Sequence, residues 1–406
     1  MVTKYIDGGV CTPQGFKAAG TACGIKKGST NKDLALIVSD KMCATAAVYT
    51  TNKVKGAPLN ITKANIADGR AQAIICNSGN ANTCAPDGEK IAAETCALAA
   101  KSLGLKKEDI VVASTGVIGQ ALHMEPFEKG IPLLVESLSY EGSQQAAEAI
   151  MTTDTIAKSI AVEFEVGGKT CKIGGAAKGS GMINPNMATM LSFITTDADI
   201  TPQMLQKALS EDIKGSYNQI CVDGDTSTND MVVVMANGMA GNEIIDKENA
   251  DFDTFKEALS EVTVYLAKKL ARDGEGATKL IECNVSGAPD DELAQRISKS
   301  VIASDLFKAA MFGEDANWGR VLCAVGYTAG DFDTDNIDVE MSSAKGRVLV
   351  CQGSKHKEYS EDRAAEILSE EEITINVDLN QGEGAACAWG CDLTYDYVKI
   401  NGDYRS

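Results

Sequence analysis

Residues 178–193, KGSGMINPNMATMLSF, bring together a lysine, two glycines, a proline flanked by asparagines and a threonine leading into an apolar run. An arbitrary Gly/Asn/Pro stretch reads as a surface loop. Here apolar segments bracket it on both sides, which directs it toward the interior. A threonine hydroxyl attacks a carbonyl only when a base removes its proton. With two histidines in 406 residues, the nearest base is the threonine's own α-amino group, which titrates near 7.7–8.0 in model compounds. That amine exists only if the chain is cut before Thr189. Attack of the Thr189 hydroxyl on the Ala188 carbonyl would make the cut, and a glycine-rich turn that distorts the peptide would favour this N-to-O shift. The expected pieces are residues 1–188 and 189–406, the second beginning with the nucleophile.

Other familiar chemistries find little support. His356 sits in the charged turn GSKHKEY and reads as exposed; His123, in ALHMEP, reads as a capping or packing group. GxSxG, HExxH, GxxxxGK[ST] and GxGxxG are all missing. DGDTSTND (223–230) looks like a calcium loop, but position 6 is Thr228 where glycine is needed and position 12 is Val234 where glutamate is needed. Its acids read as turn caps or as support for a site. Neither Cys76/Cys84 nor Cys387/Cys391 has CxxC spacing. No metal and no cofactor are expected.

The formal charge of −19 argues against nucleic acid or an anionic membrane as partner. No apolar run reaches the 18 or so residues that span a bilayer. The first twenty residues show neither an apolar export core nor an Arg-rich amphipathic pattern. Thirteen scattered cysteines, an odd number, read as reduced thiols. A cytoplasmic location follows as the expectation.

To position a threonine, the chain must supply rigid elements around it. LALIVSD (34–40), ATAAVYTT (44–51), AQAIIC (71–76) and IVVAS (110–114) read as strands. Helical periodicity marks 89–104 and 143–151. SIAVEFEV and KTCKIGGAA read as a hairpin closed by Gly167-Gly168. MLSFITTDADI and DMVVVMANG read as strands. Thr201-Pro202 opens a helix with a cap and a first-turn proline, and further helices are expected over 251–272, 289–302 and 362–369. The tail, EEITINVDLNQ through CDLTYDYVKING, reads as paired strands. Helices and strands interspersed in both halves predict an α+β or layered α/β sandwich.

The segment KGSGMINPNMATMLSFITTDA closely resembles the self-processing segment of the ornithine acetyltransferase (glutamate N-acetyltransferase) family. The resemblance covers essentially the whole chain: GGVCTPQGFKAAG, DLALIVSD, VYTTNKVKGAPL, NSGNAN (77–82), STGVIG (114–119), MTTDT (151–155), CVDGDTSTND (221–230), RDGEGATK (272–279), GEDANWGR (313–320) and the terminal CDLTYDYVKINGDYRS all match in order. It implies an αββα-type sandwich of the N-terminal-nucleophile-like kind with a smaller C-terminal α/β lobe. It further implies that Thr189 performs both self-cleavage and acetyl transfer from N2-acetyl-L-ornithine to L-glutamate in arginine biosynthesis.

By the same resemblance, Thr115 and Gly116 match the oxyanion-stabilising pair, and Thr155, Lys178, Glu275, Asn401 and Ser406 match substrate-contacting positions. Taken alone, Thr115-Gly116 reads as a strand-ending turn and the others as surface charges or caps. Lys178 can hold a substrate carboxylate and Glu275 the distal ammonium of ornithine. The family usually ends in threonine; Ser406 keeps the hydroxyl and loses the methyl. Some family members also use acetyl-CoA, and pairs of cleaved units, two of each piece, are implied. Two further readings stay open: a self-cleaving aminopeptidase or amidase with water as acceptor, and a non-catalytic binding protein. An acetyl-CoA enzyme of the common GNAT type is disfavoured, because neither RDGEGA nor NQGEGA has the spacing of [RQ]xxGx[GA].

Overall fold

The computed structural model of the chain describes residues 3–184 and 190–403. Ala188, Thr189 and Ser406 lie outside the described residues. The first half contributes β1 (Lys4–Ile6), β2 (Phe16–Thr21), β3 (Leu34–Tyr49), β4 (Arg70–Asn77), β5 (Ile110–Ser114), β6 (Lys158–Val166) and β7 (Lys169–Lys178), with helices α1 (Ala57–Asn65), α2 (Gly88–Leu103), α3 (Glu125–Glu136) and α4 (Ser143–Ile150). Then come β8 (Leu191–Thr196), α5 (Pro202–Asp212), β9 (Ile220–Cys221), β10 (Met231–Ala236) and α6 (Ala250–Arg272). One sheet joins these elements in the order β1-β6-β7-β8-β10-β3-β4-β5, with β2 also paired to β3.

Strand alternation sorts the side chains of this sheet into layers. Leu34, Leu36, Ala73, Ile75 and Val112 pack under α2 and α3 against Ala92, Cys96, Phe127 and Ile131. Their strand neighbours Ala35, Ile37, Ile74 and Val111 face the other way. There they meet Phe193 and Val233 of the opposite end of the sheet, with Ala146, Ala147 and Ile150 of α4 filling the space between. On the far side, Val162, Phe164 and Ile194 pack against Leu205 and Leu209 of α5 and Phe255, Leu259 and Val262 of α6. Each large apolar side chain so buried contributes about 1.5–3 kcal/mol, so a one-residue slip in any strand would be costly. The order through the molecule is helix, sheet, sheet, helix. This is the α+β sandwich expected from the sequence.

Its two β layers are continuous because β3 is a single 16-residue strand, where the sequence suggests two. Nothing in SDKMCA breaks a strand. Instead the pairing with β4 shifts register between Val38 and Cys43, and the exposed Asp40 and Lys41 mark the bend. The hairpin reading holds: Val166 pairs with Lys169, and Gly167 and Gly168 both take positive φ, 55° and 73°, the geometry of a two-residue turn. Thr201 caps α5, its hydroxyl accepting from the Met204 N–H at 3.3 Å.

The C-terminal lobe holds α7 (Asp291–Ala303), α8 (Asp305–Phe312), α9 (Trp318–Gly326) and α10 (Glu361–Leu368), together with β11 (Leu280–Ala288), β12 (Asp338–Ser343), β13 (Gly346–Gln352), β14 (Lys355–His356), β15 (Glu372–Asp378) and β16 (Gly384–Cys391). Its sheet runs β14-β13-β12-β15-β11-β16-β9 around a core that includes Ile281, Val285, Ile297, Phe307 and Ile375. Helix α6 serves both lobes, since Trp389 and Cys391 of β16 join its core. No helix among the described residues is long and apolar enough to cross a membrane.

One part of the tail departs from expectation. The alternation in TYDYVKING suggests a strand, but α11 (Tyr395–Asp403) is a helix. Thr394 lies just before it, and its hydroxyl accepts from the Tyr397 N–H at 3.4 Å. A Ser/Thr cap of this kind outweighs a short period-2 pattern once the helix also has tertiary partners.

Candidate active site

Strand β7 ends at Lys178, and the chain beyond it is held by carboxylates before it enters residues 185–189. The Gly179 N–H donates to Asp154 Oδ1 at 2.6 Å. The Ser180 carbonyl accepts from the Glu275 N–H at 2.9 Å, and its hydroxyl lies 2.7 Å from that of Thr153. Asp223 takes the N–H groups of Met182 (2.6 Å) and Ile183 (2.9 Å) on its two oxygens. On the other side, the Met190 carbonyl accepts from the Met231 N–H at 2.9 Å, and β8 begins at Leu191. Both ends of the segment carrying Thr189 are therefore tied to framework, although Thr189 and Ala188 themselves fall outside the described residues.

Between these ends lies a cleft of about 330 Å³. Thr115, Gly116, Lys178, Glu275 and Asn401 all line it, so residues from β5, β7, the end of α6 and α11 converge on one space. Thr115 follows directly on β5, its N–H bonded to the Asn77 carbonyl at 2.9 Å. Gly116 has φ +125°, and a methyl group there would sit 2.6 Å from the Gly79 carbonyl carbon. Only glycine fits there. Lys178 Nζ donates to the Thr115 hydroxyl at 3.3 Å, and Asn401 Nδ2 donates to Glu275 Oε2 at 2.8 Å.

Thr155 stands apart. It is exposed, lies outside the cleft lining, and gives its N–H to Asp273 Oδ2 at 3.1 Å and its hydroxyl to the same carboxylate. Ser406 lies beyond the described residues, so the folding back of the tail is visible only as far as α11. Its helix reaches the cleft through Asn401 and touches Asp223 through the Tyr397 hydroxyl, 3.3 Å away.

Several residues to which the sequence assigned no role form the support. Lys158 is wholly buried and bridges Asp154 (2.7 Å) and Asp273 (2.5 Å). Asn229, also buried, gives Nδ2 to the carbonyls of Ala81 (2.6 Å) and Ser114 (3.0 Å) and accepts from Thr83 and Thr228. It thereby locks the approach to β10 against the end of β5 that carries Thr115. Asp230 lines the cleft, and its buried Oδ2 has no hydrogen-bond partner among the described residues.

Burial sets the charges here. It pulls Lys178 below the usual lysine range, against the opposing pull of Asp154. It pushes Asp230 well above the carboxylate range, which Ser227 and Lys178 only partly offset. For Asp154 burial would raise the pKa, but Lys178 and Lys158 outweigh it and hold the group at about 2. An unfolded aspartate titrates near 3.9, so the folded value is the lower one. Its stabilising contribution is present above about pH 4 and is lost as the pH falls toward 2. The linkage is about 2–3 kcal/mol. We expect urea unfolding midpoints to drop over that interval, and the drop to be visibly smaller in Asp154→Asn; equal slopes would show that Asp154 plays no part in it.

A model of the ArgJ family matches residues 17–406. A protein of Caldanaerobacter subterraneus named arginine biosynthesis bifunctional protein ArgJ is 50% identical over 406 residues, covering 99% of this chain and all of its own. The crystal structure of a protein of that name from Bacillus halodurans is 48% identical with a TM-score of 0.51, and the match takes in 53% of this chain and 100% of that one. A structure of ornithine acetyltransferase complexed with ornithine, from Mycobacterium tuberculosis, is 36% identical with a TM-score of 0.43, over 46% of this chain and 100% of that one.

Proposed function

The chain belongs to the ArgJ family, and we propose that Thr189, freed by cleavage of the Ala188–Thr189 bond, is the group that carries the acetyl in its reaction. The protein is an acetyl-transferring enzyme of arginine biosynthesis. The donor is N2-acetylornithine and the acceptor glutamate. What carries this reading is the gathering of Thr115, Gly116, Lys178, Glu275 and Asn401 around one small cleft that borders the start of β8.

The chemistry follows from those positions. The Thr189 hydroxyl attacks the acetyl carbonyl while its own α-amine takes the proton. Charge gathers on the carbonyl oxygen, where the Thr115 hydroxyl and the Gly116 N–H can donate to it. The Lys178 ammonium polarises that hydroxyl through its 3.3 Å bond. Donors fixed in advance usually lower the barrier of such reactions more than any other single device. The C–N bond then breaks, ornithine leaves with the proton, and an acetyl ester remains on Thr189. The amine of glutamate attacks that ester by the reverse path. Amide is exchanged for amide, so no ATP is required.

Glu275 and Asn401 together can meet the distal ammonium of ornithine, while Lys178 meets the carboxylate shared by both substrates. The two-piece reading has support from length: 53% of 406 residues is about 215, and a Bacillus halodurans chain of that extent is matched in full. Residues 189–406 number 218. We take the enzyme to work in the cytosol as paired cleaved units, on the strength of the family resemblance. Initial rates at several glutamate concentrations should give parallel double-reciprocal lines against N2-acetylornithine. Intersecting lines would sink the acetyl-threonine intermediate.

A further inference from the structure

The two amino acids of the proposed reaction end in opposite charges, ornithine in an ammonium and glutamate in a carboxylate. The cleft suits the first. Glu275 and Asn401 stand together in it, and a second carboxylate placed beside Glu275 would be repelled. The side chain of glutamate needs another place. A second cavity of about 400 Å³ adjoins the cleft and shares Gly116, Val117, Thr152 and Thr153 with it. Lys26, Lys27 and His123 line it, and among the described residues no aspartate or glutamate does. Across Gly116 the walls thus pass from a mixture of Glu275, Asp230 and Lys178 to bases alone.

Lys26 is the fixed point of this cavity. It is half-buried, and its Nζ donates to the carbonyls of Lys32 (3.0 Å) and Met151 (2.8 Å). That leaves one of its three N–H bonds for a ligand. Burial holds Lys26 below the usual lysine range; Asp33 and Asp154 pull the other way, while the charge of Lys178 adds to the lowering. Both carboxylates are already engaged. Asp33 accepts the N–H groups of Cys23, Gly24 and Lys26, and Asp154 accepts from Lys158 and Gly179. Lys26 and Lys178 are therefore two ammoniums near enough to repel, one in each cavity. We propose that Lys26 selects the acceptor by binding the side-chain carboxylate of glutamate in the second cavity, while Lys178 holds the α-carboxylate. The inference rests on the acetyl-transfer reading and deepens it. A dicarboxylate whose amine lies by Gly116 relieves the repulsion between the two lysines; a neutral or cationic side chain does not. Ornithine uses Lys178 and Glu275 and leaves Lys26 alone.

Lys26→Met removes the charge, and two reactions are compared in it and in the parent. One is transfer from N2-acetylornithine to glutamate or to its neutral isostere glutamine. The other is exchange of labelled ornithine into N2-acetylornithine with no further acceptor, which uses the cleft alone. In the variant kcat/KM for glutamate should fall about thirtyfold or more, the usual loss on truncating one partner of a buried charge pair. Exchange, and whatever transfer to glutamine the parent shows, should stay within about twofold. An unchanged kcat/KM for glutamate, or an equal fall in exchange, would overturn the assignment. Where Lys26→Met does not fold, Lys27→Glu/His123→Glu alters only exposed side chains and should weaken glutamate about tenfold, with exchange again unchanged. Unaltered glutamate kinetics there would overturn it too. A parent that exchanges no ornithine would instead overturn the acetyl-transfer reading. Calorimetric titration of glutamate and glutamine without any acetyl donor tests Lys26 independently of that reading. The parent should prefer glutamate and Lys26→Met should not; equal affinities of the two proteins for glutamate would sink the proposal.

Discussion

Thr189→Ala should yield a single chain of 42.7 kDa, whereas the parent should give two pieces of about 20 and 23 kDa, the shares of 188 and 218 residues. Intact mass measurement reads this directly. The same substitution removes the nucleophile and, by preventing the cut, the α-amine that would activate it. Transfer from N2-acetylornithine to glutamate should therefore fall by on the order of 10⁴-fold or more, as when a nucleophile and its base are lost together. The cleft itself should survive. Its walls are held by Asp154, Asp223 and Asn229, none of which depends on a free N-terminus at residue 189, so substrate should still bind. A variant that stays uncut yet keeps full activity would end the case for Thr189.

Lys158→Met should cost about 3–5 kcal/mol of stability, the usual result of removing one partner from a buried ion pair. Lys158 and the Asp154 side chain are fully buried, and the Asp273 side chain is 5% exposed. Two carboxylates would be stranded in the interior without the ammonium that bridges them. Activity should fall as well, because Asp154 holds the Gly179 N–H and Asp273 holds Thr155. Arg296→Met should cost far less. Its pair with Glu292 lies on the surface, with side chains 46% and 80% exposed, and such pairs are worth about 0.3–0.5 kcal/mol. Chemical denaturation in the Thr189→Ala background, where the chain stays whole, compares the two cleanly. Equal midpoints would show that the buried triad has no structural role.

Much of the framework is legible in the sequence because it is local. Gly167-Gly168 can close a hairpin only with positive φ, and Thr201-Pro202 caps a helix with its own side chain; neither needs a distant partner. The bend of β3 is different. No residue from Asp40 to Cys43 signals it, because it is imposed by pairing with β10 on one half and with β2 and β4 on the other. The α11 helix is hidden for a related reason: Thr394 is a cap signal, but TYDYVKI alternates, and what decides between them is packing against Gly276 and Asp223. For the site, resemblance supplies Thr115, Gly116, Lys178, Glu275 and Asn401, which the fold then gathers. Asn229, Lys158 and Asp230 could not be picked out by type or spacing. Their importance comes from burial and from neighbours distant along the chain, such as Asp273, 115 residues from Lys158.

Strands β8 and β10 lie between β7 and β3 in the large sheet, so the part of the chain after Thr189 is threaded through the part before it. Each piece supplies the hydrogen-bonding edge that the other needs. The proposed cut would then be a finishing step, made on a molecule already assembled, and it would change the kinetic order of refolding. Before the cut, folding is unimolecular and indifferent to concentration. Afterwards, any complete unfolding releases two polypeptides that must find each other again, so recovery becomes second order and dilution works against it. On this proposal, maturation would make the enzyme's persistence depend on the slowness of its unfolding.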